Sequence, residues 1–133
     1  EKLVSNSDVV ISAVTYFPDD ICPDSCFKEG VLVVPIHTRG FTNCDLFFDK
    51  VFADDTDHVK HFKNFSQFRS FAEVSDVVAG RAQGRVSESE RILAYNIGIA
   101  MHDILFAANI YKQLKKDDLT EIDLAQPELK TWV

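Results

Sequence analysis

The chain has 133 residues, 14 Lys+Arg against 21 Asp+Glu, and a formal net charge of −7. That length is one domain, and 46% hydrophobic residues with eleven Phe exclude a disordered or low-complexity chain. An acidic chain has no basic stripe to displace counterions, which excludes nucleic acid as the main partner. No apolar run approaches the length of a membrane span, so no membrane partner is expected either. The three cysteines are Cys22 and Cys26, spaced C-x-x-x-C, and Cys44. They make no even framework, so a reducing, cytoplasmic setting is expected. The opening Glu1-Lys2-Leu3, without an initiating Met, reads as the middle of something longer.

In chain order, the first strong signal is Asp8-Val9-Val10-Ile11-Ser12-Ala13-Val14. A continuous β-branched run predicts a strand buried on both faces, hence a parallel sheet. Val31-Leu32-Val33-Val34-Pro35-Ile36 is the second strand, introduced by Gly30. Pro35 removes a ladder donor, so this strand is expected to be interrupted near its end or to lie next to an edge. Lys50-Val51-Phe52-Ala53 is the third. The two gaps are each about the dozen residues that a parallel crossover needs, with short helices expected over 23–28 and 43–48. After Asp55 the strands are expected to stop. Residues 57–65 and 70–79 read as helices, the second closed by Gly80. Ser87 and Glu90 have the S-x-x-E spacing of a capping box. They predict the start of a long helix carrying Leu93, Ile97, Met101, Ile104, Ala108 and Tyr111 to about Leu114. The expected fold is α/β, the second half of a Rossmann-type parallel sheet of three strands followed by C-terminal helices. The expected division is a partial dinucleotide-binding part over 1–56, a helical layer over 57–116 and a tail over 117–133.

Two stretches carry a family resemblance. One is Phe71-Ala72-Glu73-Val74-Ser75-Asp76-Val77-Val78-Ala79-Gly80-Arg81, continued by Gly84-Arg85-Val86-Ser87. The other is Asn96-Ile97-Gly98-Ile99-Ala100-Met101-His102-Asp103, running on to Ala107-Ala108-Asn109-Ile110-Tyr111. Together they resemble the C-terminal signature of the ornithine cyclodeaminase and mu-crystallin family, over roughly residues 2–114. Upstream, residues 7–15 are similar to that family's fourth nucleotide-domain strand, and 30–46 to its fifth strand and following loop. The resemblance implies that a substrate and dimerisation region and a glycine-rich dinucleotide turn precede these residues in an intact parent. No G-x-G-x-x-G occurs here; Gly80 and Gly84 follow a helix rather than a strand and read as a helix cap and a turn.

Ligands of open α/β sheets bind at the carboxyl ends of the strands. That singles out residues 13–17 and 36–41 without reference to any family. The resemblance implies that these loops hold the nicotinamide end of NAD or NADP. Ser12 and Val14 fall where the family has threonines lining the cofactor. Val14 has no side-chain donor or acceptor, and Thr15 is the substitute. Ser12, Thr15, Thr38 and Asn96 are the expected cofactor-binding residues, Asn96 standing where the family has a serine that approaches the nicotinamide. Arg39 falls at the family's catalytic aspartate and Asn43 at the lysine after it, which removes the usual acid–base pair. A guanidinium cannot act as a general base at neutral pH, but it clamps a carboxylate well. Arg39 is therefore expected to hold an anionic substrate group, and His37 or an upstream residue to handle protons. Gly98 within the expected helix has either a packing or a ligand-approach role, and Asp103 a structural one inside the helical layer.

Asp54, Asp55 and Asp57 with His58 and His61 read as helix capping rather than a metal cluster, since no H-E-x-x-H-type spacing is present. The cysteines read as small buried hydrophobes, and Phe62, Phe65, Phe68 and Phe71 as core or a partner-facing stripe. The expected function is to form part of an NAD(P)-dependent ornithine cyclodeaminase-like enzyme acting on a small amino or keto acid, by oxidative deamination or imine reduction; activity is expected of an intact parent, and these residues alone, without a phosphate turn, are expected to be inactive. The competing expectation is a crystallin-like or ligand-binding protein that kept the fold and lost the acid–base residues. The strand over 8–14 is expected to present an open edge, giving a homo-oligomer or pairing with the absent N-terminal part.

Overall fold

The computed structural model describes residues 1–37, 45–114 and 120. The chain forms two compact units, Glu1–Ile99 and Ala100–Val133. In chain order the first unit runs α1 (Lys2–Ser5), β1 (Val9–Ser12), a 3-10 turn at Asp24–Cys26, β2 (Leu32–Pro35), a 3-10 turn at Asp45–Phe47 and β3 (Lys50–Ala53). It continues with α2 (Thr56–Val59), a 3-10 turn at Phe65–Gln67, β4 (Phe71–Glu73), α3 (Val74–Val78) and β5 (Ile92–Tyr95). The second unit carries α4 (Ala100–Gln113).

The five strands form one all-parallel sheet in the order β1-β2-β5-β3-β4. The fold is α/β with a Rossmann-like parallel sheet, as expected, and all three predicted strands are present. The sheet nevertheless has five strands, not three, and it does not end at residue 56. β5 lies at its centre between β2 and β3, with Val51 opposite Leu93 and Phe52 opposite Ala94. Side-chain alternation gives two apolar faces. Val33, Val51, Ala53, Leu93 and Tyr95 pack with Phe27, Phe48 and Val59 on one face. Phe52, Ile92 and Ala94, with Leu32, Val34, Ala72 and Val77, form a smaller cluster on the other. The phenylalanine stripe is core: Phe65 meets Phe71 edge-on at 4.9 Å and Phe62 meets Tyr95 at 5.1 Å.

The long helix expected from the Ser87–Glu90 box is corrected. Glu90 does accept from the Val86 and Ser87 N–H groups at 2.8 and 3.4 Å, the return half of a capping box. The hydrogen bonds close a turn, after which Ile92–Tyr95 enters the sheet with all four residues buried. Four consecutive apolar residues have no period to separate strand from helix, and the open ladder between β2 and β3 decides for strand. Helix resumes only at Ala100, where the apolar side chains of α4 are exposed. Asp103 lies on α4.

Smaller corrections follow the same logic. The expected helix over 57–65 is one short helix, α2, capped by Asp55, whose carboxylate accepts from the Asp57 N–H at 2.8 Å. That over 70–79 begins as strand β4 and becomes helix only at Val74. The two short crossover helices are single 3-10 turns, and residues 43 and 44 of the second lie outside the described residues. β1 is not buried on both faces: it is an edge strand, and Val9 and Ile11 are 53% and 66% exposed. Pro35 ends β2 beside that edge, where a missing donor is tolerated. Gly80 follows α3 with φ +73°, as a left-handed helix terminator does.

The amino ends of the strands are clamped by backbone-directed cations. Arg85 donates to the carbonyls of Glu90 and Gly30, and Arg91 Nε to that of Phe27 at 2.9 Å. Lys50 pairs with Glu90 at 3.2 Å, both side chains largely buried. These contacts hold the amino end of the sheet together.

Candidate functional site at the carboxyl ends of the strands

Parallel pairing places every strand exit on one rim. β1 and β2 run in register with Ser12 opposite Pro35, and the Ile36 N–H donates to the Ser12 carbonyl at 2.9 Å. The chain then turns His37 back over Ser12. The Ser12 hydroxyl oxygen and His37 Nε2 lie 2.8 Å apart, and both residues are buried, at 8% and 9% exposure. Two residues singled out separately, 25 positions apart, are thus in direct contact.

The other expected site residues are placed differently. Thr15 is exposed, past the end of β1. Thr38, Arg39 and Asn43 lie outside the described residues. Asn96 is not on the long helix but directly follows β5. Its N–H donates to the Pro35 carbonyl at 2.9 Å, and its amide nitrogen turns back to the Ala94 carbonyl at 3.3 Å. Asn96 therefore reaches the rim beside β2, joined to the strand whose exit carries His37. Gly98 is likewise outside any helix.

The rim has a further tie that sequence reading treated only as capping. The Asp54 N–H donates to the Tyr95 carbonyl at 2.9 Å. The Asp54 carboxylate, 6% exposed, accepts from the Gly98 N–H at 2.7 Å and the Asp55 N–H at 2.9 Å. Asp54 thereby fixes the loop after β5 against the exit of β3. His58 Nδ1 stands 3.7 Å from the same carboxylate. Among the described residues no three His, Cys, Asp or Glu side chains are grouped to hold a metal ion. Next to it, Glu73 accepts from the Thr56 hydroxyl at 2.7 Å and the Thr56 N–H at 3.0 Å; these bonds hold its carboxyl below the usual range.

Two buried groups lie off the rim. Asp45 is fully buried, and Asn64 Nδ2 donates to its Oδ1 at 2.9 Å. Burial pushes its carboxyl upward, against the opposing pull of Asn64. No sequence signal marked it, because an acidic residue before Leu46-Phe47-Phe48 looks like any turn residue. Cys22 is buried, and desolvation, reinforced by the neighbouring Cys26 thiol, raises its thiol to about 11. A thiol so protonated is not an activated nucleophile, in keeping with its reading as a small hydrophobe.

This rim and sheet define an α/β protein with the nucleotide-sheet fold of ornithine cyclodeaminase-like proteins, the family whose motifs the sequence resembles. A probable ornithine cyclodeaminase from Bordetella pertussis superposes with TM-score 0.69 at 16% identity, over 84% of this chain and 40% of that one. The Thermococcus litoralis Δ1-pyrroline-2-carboxylate reductase, solved in complex with NADH and L-proline, gives TM-score 0.67 at 17% identity, over 84% and 39%. In sequence, the chain is 32% identical over 118 residues to the nodulation efficiency protein NfeD of Rhizobium meliloti, covering 84% of this chain and 37% of that protein. The chain therefore spans about two fifths of the length of each. No family model matches. Among the described residues no helix is long and apolar enough to cross a membrane.

Proposed function

We propose that the chain is the cofactor-facing part of an NAD(P)-dependent, ornithine cyclodeaminase-like enzyme acting on a small amino or keto acid, by oxidative deamination or imine reduction. The observation that carries this reading is the contact of Ser12 with His37 at the carboxyl ends of adjacent parallel strands, where open α/β sheets take their ligands. The fold shared with a reductase solved with NADH and L-proline supports it; a fold alone does not assign a function.

The residues present fit the nicotinamide end of a dinucleotide. Ser12, Asn96 and Thr15 offer neutral donors and acceptors, the chemistry that a carboxamide matches. Ser12, Thr15, Thr38 and Asn96 would hold that end, and NAD or NADP would there accept or deliver the hydride at the substrate Cα. No phosphate turn of the G-x-G-x-x-G type occurs in the chain. His37 is the group suited to take or return a proton near neutral pH. Arg39 clamps the substrate carboxylate, a role that a guanidinium performs bidentately. The open edge of β1 pairs with a further strand of an intact parent or with a second copy.

The test is NADH titration, by fluorescence, of an intact parent that supplies the phosphate turn, then addition of Δ1-pyrroline-2-carboxylate while NADH absorbance is followed; the 133 residues alone are expected to be inactive. Binding with oxidation of NADH is the expected result. No binding would sink the proposal, and binding without turnover toward this or other imino and keto acids would point to a ligand-binding protein that lost the acid–base residues. Arg39→Ala is expected to weaken carboxylate binding about 10- to 100-fold, the worth of a charge-assisted pair; unchanged affinity removes the clamp.

A further inference from the structure

Cys22 and Cys26 flank one turn of the crossover between β1 and β2. The Cys26 N–H donates to the Pro23 carbonyl at 2.9 Å and the Phe27 N–H to that of Asp24 at 2.9 Å, which winds Asp24–Cys26 into its 3-10 turn. Both side chains meet the same apolar cluster. Cys22 is 4% exposed within it, and the half-buried Cys26 packs against it. There the Cys26 side chain hydrogen-bonds to Cys22, and both thiols are free. Phe27 anchors the turn: its ring meets Phe48 edge-on at 5.4 Å and its carbonyl accepts from Arg91 Nε at 2.9 Å. The fold therefore holds the two sulfurs side by side.

Their unequal burial gives them different chemistry. A cysteine reacts through its thiolate, and only where a reagent reaches it. Solvent reaches Cys26. Cys22 is shielded, and burial pushes its thiol up to about 11. It reacts only with a sulfur already beside it, where proximity offsets the small thiolate fraction. We propose that Cys22 and Cys26 form a reversible disulfide site for small disulfides of the glutathione type, with Cys26 as the attacking thiol and Cys22 as the resolving one. In the first step the Cys26 sulfur gives up its proton and attacks one sulfur of the small disulfide. That S–S bond breaks, and the released half takes up a proton and leaves as a thiol. In the second step the Cys22 sulfur gives up its proton and attacks the Cys26 sulfur, displacing the other half as a thiol. Two protein thiols are oxidised to one disulfide, and one small disulfide is reduced to two thiols. In a reducing compartment, transient disulfides of this kind serve catalysis or redox sensing. The site does not depend on the function proposed for the rim.

The experiment incubates the full chain with oxidised glutathione, blocks the remaining thiols and maps the tryptic peptides by mass. Cleavage after Lys2 and Lys28 leaves both cysteines on one peptide, 3–28, and Cys44 on another. Peptide 3–28 is expected to emerge two hydrogens lighter, without glutathione, and to regain the hydrogens with dithiothreitol. Cys22→Ser is expected to retain glutathione on Cys26. In a Cys26→Ser protein that keeps a cooperative melting transition, Cys22 is expected to react at least about tenfold more slowly than in concentrated urea, where the shielding is gone. The wild-type map requires neither variant to fold. A stable glutathione adduct on wild-type peptide 3–28, a bond to Cys44, or no reaction overturns the proposal. So does equal reactivity of Cys22 with and without urea in the folded Cys26→Ser protein.

Discussion

Gly30 joins the turn after the first crossover to β2, with φ +76°. A Cβ built there would stand 2.4 Å from the Glu88 carbonyl oxygen, and that oxygen belongs to backbone that cannot swing away as a side chain would. Gly30→Ala therefore meets two costs. The left-handed conformation costs about 1–2 kcal/mol for a residue with a Cβ. Relieving the clash moves Gly30 away from Glu88 and weakens two bonds made there: Gly30 N–H to the Ser89 carbonyl at 3.2 Å and Arg85 to the Gly30 carbonyl at 3.0 Å. At about 1 kcal/mol each, the total is about 3–4 kcal/mol. Gly80 is the matched control, with φ +73° and nothing within 4 Å of its would-be Cβ. Gly80→Ala should cost only the conformational part, about 1–2 kcal/mol. At about 3–6 °C per kcal/mol for a domain of this size, Gly30→Ala should melt about 10 °C or more below wild type and clearly below Gly80→Ala. Thermal and urea denaturation of the three proteins measures this. Equal losses in the two variants would refute the steric reasoning, because the backbone conformations are nearly the same and only the neighbour differs.

Asp45 binds its proton more tightly in the folded chain than in the unfolded one, because burial raises it from the ordinary 3.8. Stability should thus fall as pH rises from that value through the raised one, and Asp45→Asn should flatten this part of a urea-denaturation pH series; an unaltered slope refutes it. Glu90 behaves oppositely. The Val86 N–H, then Lys50 and the Ser87 N–H, lower its carboxyl from 4.5, so its contribution is present above that pH and lost as pH falls through the lowered value. Glu90→Gln should shrink the acid-side loss, and an unchanged acid limb would contradict the assignment. Ile11→Lys, at an exposed edge position, should alter stability by no more than about 0.5 kcal/mol while abolishing concentration-dependent self-association in sedimentation velocity. Persistent association would place the contact elsewhere.

Much of the fold was legible. The runs at Val9–Ser12, Leu32–Pro35 and Lys50–Ala53 are largely apolar, the first two rich in β-branched valine and isoleucine, and are separated by crossover-length gaps; each became a strand in a parallel sheet. Asp55 and Gly80 marked helix ends through local chemistry that needs no distant partner. β4 and β5 were not legible. Phe71-Ala72-Glu73 is too short to display a period, and Ile92–Tyr95 follows a sequence that makes real capping-box bonds before going straight. The candidate site was half legible: the rule for parallel sheets marked the strand exits, while the meeting of Ser12 with His37 depends on the β1–β2 register.

Local composition determined where strands end, which turns need glycine or a carboxylate cap, and that the sheet is parallel, because those preferences are set within a few residues. Tertiary structure alone decided that Ile92–Tyr95 fills the centre of the sheet. It also decided that Asp54 reaches Gly98 and that a buried hydroxyl and imidazole share one bond. Each of these is a pairing between segments far apart in sequence, chosen because an unfilled ladder or an unsatisfied buried group costs more than any local preference for another conformation.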